Sequence, residues 1–359
     1  MITIEITKKF NDACVAELKI TDRMTIVAGD SSTGKTHICN MLEERDGSAY
    51  NVSAFDHKGR GVKIHYCASI GRFEEVINDE SKDYSVVVID EYVATELNKI
   101  ENMKIRGLMD KVKKYFIIFQ RDDIIKYHIG VNSVMHVKYI DKKYIFENPL
   151  RFNDEYSLGN ITKCDLILSE DSKSGYQILK HYFQIDGKMS VRKTGGNGNI
   201  HKELLKFNKE HNIIVGLDYD KGSWELYYIK TLIEANELDK NKIYFIKMES
   251  AEEIICNSNL ILNKCPDMKD FVENIENHID CSFQHRGEYF MTLIQKYFKT
   301  NNGNALYTKN NTGCFRRDCT DCTANQCKFR DNTEKKVRLL FCNKYEILYK
   351  LYEYVHNEQ

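Results

Sequence analysis

Met24-Thr-Ile-Val-Ala28-Gly29-Asp30-Ser31-Ser32-Thr33-Gly34-Lys35-Thr36 decides the fold: an apolar, strand-like run passes directly into the pattern G-x-x-x-x-G-K-[ST]. The helix-like stretch His37-Ile-Cys-Asn-Met-Leu-Glu-Glu44 follows. A strand feeding a glycine-rich turn and then a helix aims successive backbone N–H groups at one point, a cradle for phosphate oxygens. In that cradle Lys35 reaches the β- and γ-phosphates and Thr36 holds Mg²⁺. The expected ligand is a nucleoside triphosphate, ATP.

Such a site also needs a carboxylate at the end of a nearby buried strand to position the magnesium ion. Val86-Val-Val-Ile89-Asp90-Glu91 offers one. Four consecutive apolar residues read as a parallel strand covered on both faces, with Asp90 at its carboxyl end, where ligands of open α/β sheets bind. Glu91 is the candidate for orienting an attacking water. Tyr115-Phe-Ile-Ile-Phe119 ends in Gln120-Arg121, which fit either a γ-phosphate contact or an ordinary loop.

Further strand-like runs over 1–6, 15–20, 62–67 and 134–139 alternate with helical patterns up to Pro149. Strands interleaved with helices predict a mainly parallel α/β sheet, here preceded by an antiparallel hairpin. Pro149 breaks the pattern, and the boundary of a first domain, 1–150, is placed there.

A second α/β block, 151–265, opens on Asp165-Leu-Ile-Leu168-Ser169-Glu170. It runs through helical 176–182, the run Met189-Ser-Val191, the glycine turn Thr194-Gly-Gly-Asn-Gly-Asn199 and helical 201–210. Asn212-Ile-Ile-Val215-Gly-Leu217-Asp218-Tyr-Asp220, a helix over 224–237 and the strand Ile243-Tyr-Phe-Ile246 complete it. Asp218 and Asp220 lie two apart on an extended segment, so their side chains point the same way. Strand-end clustering brings Glu170 against them, and three carboxylates at close range need a cation or a proton between them. Oxygen-only ligation of this kind selects Mg²⁺ or Mn²⁺, which can activate water for phosphodiester cleavage. The glycine turn reads as bordering the acidic pocket.

From about Met268 onward the pattern is helical, and 266–359 is read as a small helical region interrupted by Cys314-x4-Cys319-x2-Cys322-x4-Cys327. Four thiolates around a C-x2-C knuckle suit a structural Zn²⁺ site, with an iron–sulfur cluster as the alternative of the same spacing. Arg316, Arg317, Lys328 and Arg330 decorate the loop, so it reads either as a basic knuckle that touches phosphates or as an architectural staple.

Net charge is −1 and gives no global pull toward a polyanion. The distribution is uneven: 251–280 holds 2 Lys against 7 Asp/Glu, and 281–359 holds 13 Lys/Arg against 8 Asp/Glu. The basic tail could face nucleic acid, or it is an ordinary solvated helical surface. No apolar run approaches the ~18 residues that cross a bilayer, and Met1-Ile-Thr-Ile-Glu-Ile is too short and polar for a signal peptide. The expectation is a soluble, cytoplasmic protein without a membrane partner, whose eight scattered cysteines are reduced and mostly buried.

On these motifs the first block resembles the P-loop NTPases and the second, over roughly 163–260, resembles the Toprim domain. The resemblance implies that Glu170 is the family's general acid or base, that Asp218 and Asp220 hold Mg²⁺, and that Glu249 or Glu252 adds a further acidic ligand. Such domains usually read Glu-Gly-x-x-Asp, whereas this chain has Glu170-Asp171-Ser-Lys-Ser-Gly175. An NTPase followed by a Toprim nuclease is similar to the overcoming-lysogenisation-defect family of ATP-dependent nucleases, several of which act against phage. Members of that family carry a long insertion with an LSGGQ-like signature, where this chain has 53 residues between Thr36 and Asp90. The implied function is ATP-regulated, Mg²⁺-dependent cleavage of nucleic acid, DNA ahead of RNA. Homo-oligomerisation and a protein partner are both compatible with it. A nucleotide-dependent sensor whose acidic pocket binds without cutting is the competing reading.

Overall fold

Val86-Val-Val-Ile89 and Tyr115-Phe-Ile-Ile-Phe119 are buried at every position, as strands covered on both faces must be. They lie side by side in a large sheet in a computed structural model that describes residues 1–29, 33–43, 49–79, 85–99, 112–121, 129–150, 161–171, 173–196, 198–248, 250–263, 266–279, 282–283, 286–297 and 333–357. The chain forms two compact units, one comprising Met1–Arg151 with Glu276–His285, the other Phe152–Ile275 with Arg286–Gln359.

The first unit contains β1 (Ile2–Lys8), β2 (Cys14–Ile20), β3 (Met24–Ala28), β4 (Tyr50–Asp56), β5 (Lys63–Cys67), β6 (Ser85–Ile89), β7 (Tyr115–Phe119), β8 (Val134–Ile140) and β9 (Lys143–Glu147). Helices α1 (Lys35–Glu43), α2 (Ile70–Asn78) and α3 (Glu91–Lys99) connect them. Among the described residues these strands make one sheet in the order β4-β1-β2-β9-β8-β3-β7-β6-β5. The β8-β3-β7-β6-β5 half is parallel throughout. The other half carries antiparallel pairs, β1 with β2 and β4, and β8 with β9. The result is mixed α/β with a mostly parallel large sheet. Isoleucines 2, 4 and 6 of β1 alternate inward to join Ile38, Met41 and Leu42 of α1 in a single core on one face.

In the second unit β10 (Leu166–Ser169), β11 (Ser190–Lys193), β12 (Ile213–Asp218) and β13 (Ile243–Met248) form an all-parallel sheet in the order β11-β10-β12-β13. Parallel neighbours require crossovers, and helices α4 (Ser174–Phe183), α5 (Ile200–Phe207) and α6 (Ser223–Glu234) supply them. The chain steps from β10 to one side for β11 and then returns across to β12. Right-handed crossovers therefore set α4 on one face and α5 with α6 on the other. Helix α7 (Ala251–Cys256) packs beside α4 on the first face. The described C-terminal helices, α8 (Arg286–Tyr297), α9 (Thr333–Leu340) and α10 (Glu346–Asn357), belong to this unit. Among the described residues no helix is long and apolar enough to cross a membrane.

Candidate functional site

Strand order reverses between β10 and β12, and at such a reversal the loops leaving the two strands part to leave a crevice at their carboxyl ends. Glu170 follows β10, and Asp218 ends β12. The Glu170 N–H donates to the Gly216 carbonyl at 3.0 Å, continuing the ladder, and its Oε2 accepts the Asp218 N–H at 3.0 Å. Glu170 is 5 % exposed, Asp220 is 4 % exposed and Asp218 is half-buried. Glu170 and Asp218 are thus brought together at one end of one sheet, while Asp220 lies in the turn that follows β12, off the extended segment expected for the Asp-x-Asp pair, and its charge acts on both.

Small residues make this approach possible. A Cβ on Gly222 would stand 2.8 Å from the Asp218 carbonyl, so the turn Asp218–Gly222, closed by the Lys221 N–H on that carbonyl, depends on glycine. Gly287, in the first turn of α8, donates its N–H to Asp220 Oδ2 at 2.9 Å. A side chain there would lie 2.8 Å from the same oxygen. Asp220 is therefore held at a helix N-terminus, where the backbone favours negative charge. Nothing in the Asp-x-Asp spacing announces that partner, which lies 67 residues further along the chain.

Other acids line up around the pair. Glu252 of α7 is buried, and its Oε1 accepts the Ser174 hydroxyl at 3.3 Å. Its neighbour Glu253 turns away to Lys344 Nζ at 2.8 Å and the Tyr345 hydroxyl at 2.6 Å, a structural role. Glu225 of α6 is buried and bonds His201 Nδ1 at 2.9 Å as well as the His201 backbone N–H. Asp171, where the family pattern has glycine, accepts the N–H groups of Gly175 at 3.1 Å and Tyr176 at 2.8 Å, satisfying donors at the start of α4. The glycine turn borders the pocket as expected: the Gly196 N–H donates to the Glu170 carbonyl at 2.9 Å, and the Thr194 hydroxyl does so at 3.2 Å.

Burial above all, then the charges of Asp220, Glu225 and Asp171, push the Glu170 carboxyl up to about 8, against the pull of the Asp218 N–H. Burial, followed by Glu170 and Asp220, raises Asp218 well above the usual carboxylate range. Protons therefore do here what a cation would do, relieving crowded negative charge. The all-oxygen donor set fits Mg²⁺ or Mn²⁺ in kind. As they stand, however, no three His, Cys, Asp or Glu side chains among the described residues form a group that could hold a metal ion. Glu249 lies outside the described residues, as do Cys314, Cys319, Cys322 and Cys327.

In the first unit Gly29 and Gly34 bracket the phosphate loop with φ of +148° and +96°, backbone that L side chains rarely adopt. Asp30, Ser31 and Ser32 lie outside the described residues; Thr33 is half-buried and Thr36 is exposed on the first turn of α1. Lys35 is buried and its Nζ donates back to the Gly29 carbonyl. Strands β3, β7 and β6 are neighbours in that order, so Gly29, Gln120 and Asp90 follow three consecutive parallel strands. Asp90 thus comes from the second strand over, with Gln120-Arg121 on the strand between.

Asp90 caps α3, accepting the Tyr92 N–H at 2.8 Å and the Tyr66 hydroxyl at 3.0 Å. It also faces α1: burial first, then the Asp90 charge, raises the Cys39 thiol. Glu91 is paired with Arg121 at 2.7 Å. Tyr144 of β9, which the sequence reading did not single out, lies against the loop. A Cβ on Gly34 would meet its ring at 2.4 Å, and its hydroxyl bonds His37 Nδ1 at 2.5 Å.

No protein-family model matches the chain, and no curated protein is significantly similar to it.

Proposed function

We propose that the first unit is a P-loop NTPase that binds and hydrolyses ATP, and that the second is a Toprim-type, Mg²⁺-dependent nuclease acting on DNA or RNA, DNA being the first substrate to test. One observation carries the nuclease reading: Glu170 and Asp218 come from the ends of adjacent parallel strands at a sheet reversal and are crowded there, burial and the Asp220 charge raising the proton affinity of both and Glu170 adding to that of Asp218. Asp218 and Asp220, with Glu252, would hold Mg²⁺ or Mn²⁺. Bound there, the ion supplies an activated water and stabilises charge on the leaving oxygen. Glu170, with an affinity for its proton extending to about pH 8, is suited to give or take a proton near neutrality. In the first unit Lys35 would leave the Gly29 carbonyl for the β- and γ-phosphates, with Thr36 and Asp90 placing magnesium and Glu91 orienting water. The zinc knuckle of Cys314, Cys319, Cys322 and Cys327 rests on spacing alone, and a role against phage rests on the family resemblance.

The test is purified protein with labelled DNA and RNA in Mg²⁺ or Mn²⁺, with and without ATP. Cleavage that disappears in Asp218→Ala and Glu170→Gln is expected. No cleavage under any nucleotide condition, or cleavage that survives both substitutions, rejects the nuclease reading.

The absence of a ready metal-holding group among the described residues favours a second reading, a nucleotide-dependent sensor whose pocket binds without cutting. It predicts ATP hydrolysis, abolished by Lys35→Ala, with no strand scission.

A further inference from the structure

Beside the acidic pocket, α6 carries an aromatic cluster that the proposed chemistry does not use. Trp224 and Tyr228, one turn apart, meet at 4.7 Å between ring centroids with planes at 65°. The His201 ring stacks on Tyr228 at 5.2 Å and 18°. Tyr228 is 37 % exposed and Trp224 is half-buried, so the cluster reaches the surface. It is tied to the pocket twice. Glu225, the residue after Trp224, holds His201 through its Oε1 and adds to the charge that raises Glu170. The glycine turn that donates to the Glu170 carbonyl runs on through Asn199 into α5, where His201 sits.

We infer that Trp224, Tyr228 and His201 form a shelf on which an unstacked base of single-stranded nucleic acid lies while its backbone passes the carboxylates. The inference rests on the nuclease reading and names its substrate class. Every base has a flat face, so rings bind single strands with little sequence preference. In a duplex those faces are covered by neighbouring pairs, and the shelf cannot be reached unless a base is flipped out. The surroundings suit a sugar–phosphate chain. Side chains at Gly196 and Gly198 would meet nothing within 4 Å, so backbone of the turn is open to close approach. The exposed Lys202, whose Nζ bonds Asn199 Oδ1 at 3.1 Å, follows His201 in the chain, and Lys221 precedes α6, so both shelf-bearing segments carry a cation.

Trp224 is the one tryptophan of the chain, so tryptophan emission, excited at the red edge where tyrosine does not absorb, reports this shelf alone. The 359-residue chain in EDTA is titrated with a dT12 single strand, an rU12 single strand and a blunt DNA duplex of the same length. Binding of the single strands should quench Trp224, with affinity at least ~10-fold above that for duplex, as base–aromatic stacking permits. By anisotropy of a labelled dT12, Tyr228→Ala should weaken binding ~10-fold or more, and Tyr228→Phe, which keeps the ring, should restore it. Unchanged Trp224 emission on binding overturns the inference. So does equal affinity for single strand and duplex, or a Tyr228→Ala protein within ~2-fold of the parent. Because the metal is chelated, the two readings fail separately. Cleavage without quenching sinks the shelf and spares the nuclease; quenching without cleavage in Mg²⁺ supports the shelf and sinks the nuclease.

Discussion

Glu170 is the residue at which the sequence reading and the molecule meet most directly, and its proton makes the meeting measurable. An acid whose folded-state affinity is raised binds its proton more tightly in the folded chain than in the unfolded one. The stability this confers is fully present below about pH 4.5 and is lost as pH climbs toward about 8. In EDTA the second unit should therefore lose stability between those values, by up to ~1.4 kcal/mol per pH unit at the steepest. Glu170→Gln removes the titrating group and should make the protein more stable than the parent at pH 8, by on the order of 2 kcal/mol, with little difference at pH 5. Urea melts at a series of pH values check this, and added Mg²⁺ should flatten the parent's slope by displacing protons. A parent profile that is level from pH 5 to 8 without metal contradicts the crowding of the carboxylates. Asp220 lies in the turn after β12, where period-two spacing does not apply, while the placement of Glu170 and Asp218 was legible because strand ends are local signals. The partners Gly287 and Glu225 were not, because each is brought in by tertiary packing from another element.

Helix α4 shows how an element and a site share one side chain. Asp171 satisfies two N–H groups at the start of α4 and places a negative charge beside Glu170. Asp171→Ala should cost about 1–2 kcal/mol by removing the cap, and Asp171→Asn, which keeps one acceptor, should cost less. Both should lower the pH over which stability is lost, because both remove the same charge; the melts above resolve the two effects. A pH midpoint that stays put in both variants would show that Asp171 acts as a cap alone. At this scale most buried strands were legible to within a residue or two, since unbroken apolar runs such as those of β6 and β7 need no tertiary information. Two strands were missed. Strand β4, Tyr50-Asn-Val-Ser-Ala-Phe-Asp56, is an edge strand paired only with β1, and polar residues interrupt its apolar ones. Strand β9 follows a tight turn at Asp141-Lys142, both at positive φ, without the Asn-Gly or Asp-Gly that marks such turns.

Across the whole molecule, the break after Pro149 was legible from a proline, but the route of the later chain was not. Residues 266–359 read as a separate helical region, yet the described helices α8 to α10 belong to the unit that holds the acidic pocket, while 276–285 group with the first unit. Two contacts give this consequence. Gly287 anchors Asp220, and Lys344 with Tyr345 satisfies Glu253, which is 6 % exposed. A chain ending at Pro266 would leave the Asp220 carboxylate without its helix N-terminus and Glu253 buried without its cation, each costing on the order of 1–3 kcal/mol. Against a total stability of about 5–15 kcal/mol, that loss, together with the apolar surface exposed by removing Phe290, Phe341 and Leu351, is enough to unfold the second unit. Circular dichroism and limited proteolysis of the truncated chain should show residues 161–263 lost as a cooperative block. The milder Tyr345→Phe, which deletes only the hydroxyl on Glu253, should lower stability by ~1–2 kcal/mol and leave the chain folded. A truncated protein that melts like the parent would mean that the acidic pocket is built by β10 to β13 and their helices alone.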